Sequence, residues 1–271
     1  MSADPRAVES LLGFWVEAGV EALYAEAPVN RTAPAAGAPL ARGATPTGLS
    51  SAPTVRADAV PATLKAEDLQ EAQSAAANAP DLAALEAAIA GFDGCALKSA
   101  GARQAVFARG APDAPVMIIG EAPGGEEDIQ GSPFVGRAGQ LLDKMLAAAG
   151  LDGRVFITNT VFWRPPGNRT PTPAEQAACA PFLERAIALV KPKVLLLVGG
   201  ASAKAMLKRP EGILALRGRW FEWRSADGAL ELPALPTLHP AFLLRQPAAK
   251  KKSWEDLLTL VERLDRPARP D

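Results

Sequence analysis

The chain has 271 residues, is 48% hydrophobic, and balances 29 Lys and Arg against 30 Asp and Glu for a formal net charge of −1. No run reaches the ~20 apolar residues of a membrane span, and two cysteines, Cys95 and Cys179, are too few for a disulfide framework, so a cytoplasmic protein is expected. The charge is uneven: residues 1–90 carry 5 basic and 11 acidic side chains, the remainder 24 and 19, which permits nucleic acid as a partner as readily as it permits ordinary surface scatter.

Residues 5–26 set Val8, Leu11, Leu12, Trp15, Val16 and Leu23 at helical spacing, so the segment 1–27 reads as an amphipathic helix. Its internal Glu9, Glu17 and Glu21 and the lack of a basic leading region distinguish it from a signal peptide. Residues 28–65 are rich in Ala, Pro, Gly, Ser and Thr without period, and read as a linker. A helix tethered this way either docks on the following domain or binds a protein partner.

The domain proper is expected over 66–271. Ala66–Ala90 is helical in pattern, with an N-cap at Asp81. Val116–Ile119, Val155–Asn159 and Lys193–Val198 are short apolar runs rich in β-branched residues, the pattern of strands buried on both faces, and Leu235–Leu238 supplies a fourth. Between them fall helices over Gly136–Gly150 and from Thr172 to about Val190. The second opens on the capping box Thr172-Pro173-Ala174-Glu175. A short helix covers Ser202–Leu207, a minor hairpin turns around Asp227-Gly228, and Trp254–Leu264 forms a closing helix. Strands alternating with helices imply a three-layer α/β/α sandwich around a mostly parallel four-stranded sheet.

Chemistry is expected where loops leave the carboxyl ends of such strands. The first strand runs into Gly120-Glu121-Ala122-Pro123-Gly124-Gly125, a tight loop whose backbone N–H groups can face a ligand, and then into Glu126, Glu127 and Asp128. Phe134 follows between Pro133 and Gly136, Asn159 ends the second strand, and His239, the only histidine, ends the fourth. A π-face, a side-chain amide and an imidazole suit a planar heterocycle. Each also has a plainer reading: a core phenylalanine, a loop-capping asparagine, a structural histidine, a solvated helix start.

Taken together, four segments resemble one family. G-E-A-P-G-G-E-E-D, G-S-P-F-V-G-R-A-G, T-N-T-V-F-W-R-P-P-G-N-R-T-P and H-P-A-F-L-L-R, in that order, are similar to the uracil-DNA glycosylases of the iron–sulfur (family 4) type, over about residues 85–264. The resemblance implies a monofunctional enzyme that flips uracil out of single- or double-stranded DNA and hydrolyses its N-glycosidic bond. It implies that Phe134 stacks on the base and Asn159 reads its edge, that Glu121, Ala122 and Gly125 line the pocket with Asp128 at the margin, and that His239 faces O2. It also assigns DNA contacts to Arg164, Asn168, Arg169 and Arg245, with Leu243 as the wedge that enters the duplex. Catalysis would rest on His239, Glu121 and Asn159 without a metal, in a monomer.

Three departures stand out. Ala122 occupies the position where the best-known branch has an aspartate, which leaves Glu121 or a backbone-held water to take its part. Gly124 stands where that branch has a tyrosine that excludes thymine, so broader specificity for deaminated or mismatched bases is an alternative, as is a silent DNA-binding homologue. A four-iron cluster takes four thiolates, and of the four family positions Phe92, Cys95, Trp163 and Cys179, only two are cysteine. The cluster is therefore expected to be absent.

Overall fold

The structure is a computed structural model that describes residues 64–265. The N-terminal helix and nearly all of the linker expected before them lie outside the described residues. One sheet contains β1 (Ala108–Gly110), β2 (Val116–Gly120), β3 (Val155–Asn159), β4 (Val194–Val198), β5 (Phe221–Arg224) and β6 (Glu231–Thr237). Their order across the sheet is β1-β3-β2-β4-β6-β5. The middle four are parallel, and β1 and β5 add an antiparallel strand at each edge.

The parallel centre coincides with the four apolar runs expected from the sequence, and the sheet is wider by its two edges. The expected minor hairpin and the fourth strand prove to be one structure. β6 starts in the second arm of that hairpin, pairs Phe221–Arg224 through Glu231–Ala234, and runs on to Thr237 beside β4. Pro233 and Pro236 interrupt its apolar pattern, which is why the sequence reads as two pieces.

Alternate residues of the central strands face opposite layers, as the two-residue period of a strand requires. Met117, Ile119, Leu195 and Leu197 pack into one cluster with Leu85 and Ile89 of a helical pair, α1 (Ala66–Asn78) and α2 (Leu82–Gly91). α3 (Ala96–Ser99) contributes Leu97 to the same layer. Val116, Ile118, Val194 and Leu196 pack into the opposite cluster.

α4 (Gly125–Gln130) leads to α5 (Arg137–Ala148), whose Leu142 and Leu146 join that second layer. α6 (Pro173–Val190) opens as expected: Thr172 Oγ1 accepts from Glu175 N at 3.3 Å and Glu175 Oε2 from Thr172 N at 2.7 Å. It lies on the first face through Ala178, Cys179, Phe182 and Ile187. α7 (Gly200–Leu207) and α8 (Ile213–Leu216) follow β4. After β6 come α9 (Pro240–Arg245) and α10 (Lys250–Asp265), and Leu257 and Leu260 of α10 complete the second layer. No helix among the described residues is long and apolar enough to cross a membrane.

Because the central strands are parallel, Gly120, Asn159, Val198 and Thr237 end at one edge of the sheet. The loops that leave them build the site.

Candidate active site

A cleft of about 550 Å³ opens at that edge, lined among others by Glu121, Gly124, Glu127, Phe134, Asn159 and His239. Its floor holds Asn159, which is only 1% exposed. The Asn159 side-chain oxygen has no hydrogen-bond partner. A buried amide oxygen without a partner is unfavourable on its own, and a ligand that donates to it would relieve that state. Gly120 makes room for the arrangement: a Cβ there would stand 2.4 Å from Asn159 Oδ1 and 2.6 Å from the edge of the Phe134 ring.

Phe134 supplies the apolar wall. Its ring lies 5.7 Å from that of His239, with 29° between the planes. Its backbone sits at φ 56, a left-handed conformation that is uncommon for a non-glycine residue and strained for a bulky one. The loop is anchored by Glu127, whose Oε1 accepts from Val135 N and Gly136 N at 3.0 Å each, while Oε2 accepts from Gly124 N at 3.1 Å. One carboxylate thus ties the loop after β2 to the loop that carries Phe134. It also stands 2.7 Å from where a side chain at position 124 would begin.

His239 caps α9 through its ring: Nδ1 accepts from Ala241 N at 3.2 Å. In a neutral ring that acceptor role leaves the proton on Nε2. Burial, and then the charge of Arg245, lower the imidazole pKa to about 4, against a smaller opposing pull from Glu127. The ring is therefore neutral at pH 7 and carries a single N–H donor. Behind it, Thr237 Oγ1 donates to Asp256 Oδ2 at 2.7 Å, and Asp256 pairs with Arg217 at 2.5 Å. Gly199, at φ +95, passes so close that a Cβ would lie 3.2 Å from His239 Cδ2.

The other expected site residues divide. Glu121 and Ala122 line the cleft, and Thr160 Oγ1 holds the Glu121 carbonyl at 2.6 Å. Gly125 is not among the lining residues; it faces the Arg164 guanidinium, whose atoms are 3.5 Å from the position of a Cβ. Asp128, expected at the margin, turns away: it is 2% exposed and accepts from Arg103 N at 2.8 Å. Asn168, Arg169 and Arg245 line the cleft mouth, and Arg164 donates to Asn168 Oδ1 at 2.8 Å. Arg169 is held by Glu175 through two bonds of 2.8 and 2.6 Å, so its guanidinium braces the loop. Burial raises the Glu175 pKa, but Arg169 and Thr172 outweigh it and hold the carboxyl below its usual range.

Leu243 requires correction. It is fully buried, and Pro240, three residues earlier on the same face of α9, is buried too. Ala241, Phe242 and Arg245 occupy the opposite face and line the cleft. Phe242 is the large apolar side chain that α9 brings to the cleft. In the sequence, Glu127 and Gly120 stand only as part of the loop after the first strand and its acidic run, and Phe242 only within the last matching segment, none with a role of its own.

The positions implied for an iron–sulfur cluster also converge, on the face opposite α5 and α10. Cys95 and Cys179 are both buried, with 3.9 Å between sulfurs, and burial pushes the Cys179 thiol well up. Phe92 and Trp163 belong to the same apolar cluster, 2% and 1% exposed. Phe92 packs on Phe182 with centroids 5.2 Å apart, and Trp163 meets Phe162 edge-on. This donor set does not fit a four-iron cluster: two of the four implied positions carry thiols and the other two carry aromatic rings.

A doubly covered, mostly parallel sheet with a cleft at its carboxyl edge defines an α/β protein, and the cleft gathers an aromatic face, a side-chain amide and an imidazole. Residues 107–258 match the family model for the uracil DNA glycosylase superfamily. Similar proteins include the type-4 uracil-DNA glycosylase of Pyrobaculum aerophilum, 42% identical over 65% of this chain and 91% of that relative. Those of Sulfurisphaera tokodaii (40% identical, 58% and 74% covered) and Thermotoga maritima (40% identical, 52% and 71%) are also similar. The chain belongs to the uracil DNA glycosylase superfamily and groups with its type-4 members.

Proposed function

We propose that this protein excises uracil from DNA and leaves an abasic site, acting as a monofunctional glycosylase of DNA repair. The observation that carries the reading is the unpaired amide oxygen of Asn159 on the floor of a cleft walled by Phe134 and a neutral His239. Uracil presents an N–H beside a carbonyl on its Watson–Crick edge, and a side-chain amide offers one acceptor and two donors to match. Its face would stack on Phe134.

The target bond is out of reach within a stacked duplex, so the nucleotide must be extruded. Phe242 and Arg245 at the cleft mouth would then hold the displaced strand. Bond cleavage leaves negative charge on the departing base. A preorganised donor at that charge is worth ~3–4 kcal/mol in other enzymes, and the Nε2–H of His239 fits this part. Glu121 at the cleft wall would support the sugar cation or orient water. The Glu127 carboxylate, filling the space beside Gly124, would press on the C5 position that carries a methyl group in thymine.

We infer in addition that the enzyme works without an iron–sulfur cluster, because the chain has two cysteines in all and aromatic rings fill the other ligand positions. The activity is tested with oligonucleotides that contain uracil, hypoxanthine or a mismatched thymine, read as alkali-labile cleavage. Uracil is expected to be released from single and double strands and thymine retained. Absence of uracil release would overturn the reading.

A further inference from the structure

We propose that Arg109, on the edge strand β1, is a positioning residue that sets the face of Phe134 for the base; the proposal deepens the glycosylase reading. Arg109 lies outside the four segments that carry the family resemblance, 11 residues before the first of them. Its guanidinium spans the strained residue: Nε donates to Pro133 O at 2.8 Å and NH2 to Phe134 O at 3.2 Å. Consecutive carbonyls on either side of Phe134 are therefore held by one rigid, planar group. The same NH2 donates to Asp143 Oδ1 of α5 at 2.6 Å, which fixes the guanidinium from behind.

This clamp faces the one made by Glu127. Glu127 holds the N–H groups of Val135 and Gly136 just after Phe134, and Arg109 holds the carbonyls at and just before it. Gly139 lets α5 approach the same peptide, since a Cβ there would overlap Phe134 O at 1.7 Å. A left-handed φ of 56 at a phenylalanine persists only where its surroundings fix it. Bonds to the backbone on both sides supply that constraint, and the ring is thereby pinned against Gly120 and His239. Arg109 does not line the cleft, so it acts through Phe134 and not on the base.

A lysine could keep one of these bonds but not the fork. Misplacing a substrate-positioning group by about 1 Å slows reactions by up to about 100-fold. Arg109→Gln is therefore expected to lower single-turnover uracil excision by about tenfold or more, with Arg109→Lys in between.

The test is a double-mutant cycle with Phe134→Ala, measured as single-turnover excision and as affinity for undamaged duplex. In the Phe134→Ala background Arg109→Gln should change the rate by less than about twofold, because its route to the base is gone. Duplex affinity should stay unchanged throughout. Equal losses in both backgrounds, no loss in either, or a parallel loss of duplex affinity would overturn the proposal. A crystal structure of Arg109→Gln gives a readout independent of activity: Phe134 is expected to leave the left-handed region, and an unchanged loop would contradict the clamp. If the wild-type protein releases no uracil, the glycosylase reading fails while the crystal structure still decides the clamp.

Discussion

The base cleft and the cysteine cluster are each built from segments far apart in the chain, and they treat polar atoms in opposite ways. The cleft keeps a buried amide oxygen without a partner, a neutral imidazole with one donor, and a phenylalanine in a strained backbone conformation. The cysteine region is core: Phe92 and Trp163 belong to the same buried apolar cluster as the two thiols, which face each other at 3.9 Å. A site meant to receive a ligand holds unsatisfied groups open at the expense of stability. A region with no ligand to receive has no use for such groups and packs like ordinary core. This contrast supports the proposal that excision depends on the cleft and that the cysteine region serves the fold.

The largest effect that would test this contrast lies at His239. His239→Ala should slow single-turnover excision by ~100- to 1000-fold, the range for losing one oxyanion donor. Binding to uracil-containing DNA should change little, since the interaction strengthens only as O2 becomes anionic. A loss of binding in proportion to the loss of rate would place His239 in recognition instead.

Trp163 should show the reverse. Trp163→Ala removes a side chain that is 1% exposed and should destabilise the fold by ~3–5 kcal/mol. The excision rate measured well below the melting temperature should stay near that of the wild type. A variant that keeps its stability but loses activity would tie the cysteine cluster to catalysis.

A smaller and sharper effect concerns pH. The His239 pKa is about 4 in the folded protein against an ordinary 6.5, so the neutral donor persists as pH falls through 6 and 5. Excision should therefore show no His239 limb near 6.5, only a decline closer to 4. Stability has the opposite sensitivity: below 6.5 the unfolded chain takes up a proton that the folded ring refuses, so this contribution falls between 6.5 and about 4. A rate limb near 6.5 that disappears in His239→Ala would contradict the neutral assignment.

Much of this was legible in the sequence where a pattern has a direct physical cause. Continuous apolar runs gave the four parallel strands, because burial on both faces leaves no room for alternation. Thr172 to Glu175 gave a helix start, and the chain order of Phe134, Asn159 and His239 gave a cleft that the structure assembles. What escaped depends on three-dimensional placement. β1 is Ala108-Arg109-Gly110, too short and too polar to carry a period, yet it delivers Arg109. Leu243 and Phe242 are adjacent apolar residues, and only the rotation of α9 decides that the first is buried and the second faces the cleft. Asp128 and Glu127 are neighbours in one acidic run, and their different duties arise from Arg103 on one side and the Phe134 loop on the other.

The central claim is that the cleft works while the cysteine region carries no cluster. Iron content and uracil release should be measured on the same anaerobically purified sample of the full chain. The account predicts a colourless protein, with no iron and no absorbance near 400 nm, that releases uracil over repeated turnovers. Stoichiometric iron whose removal abolishes that release would contradict it.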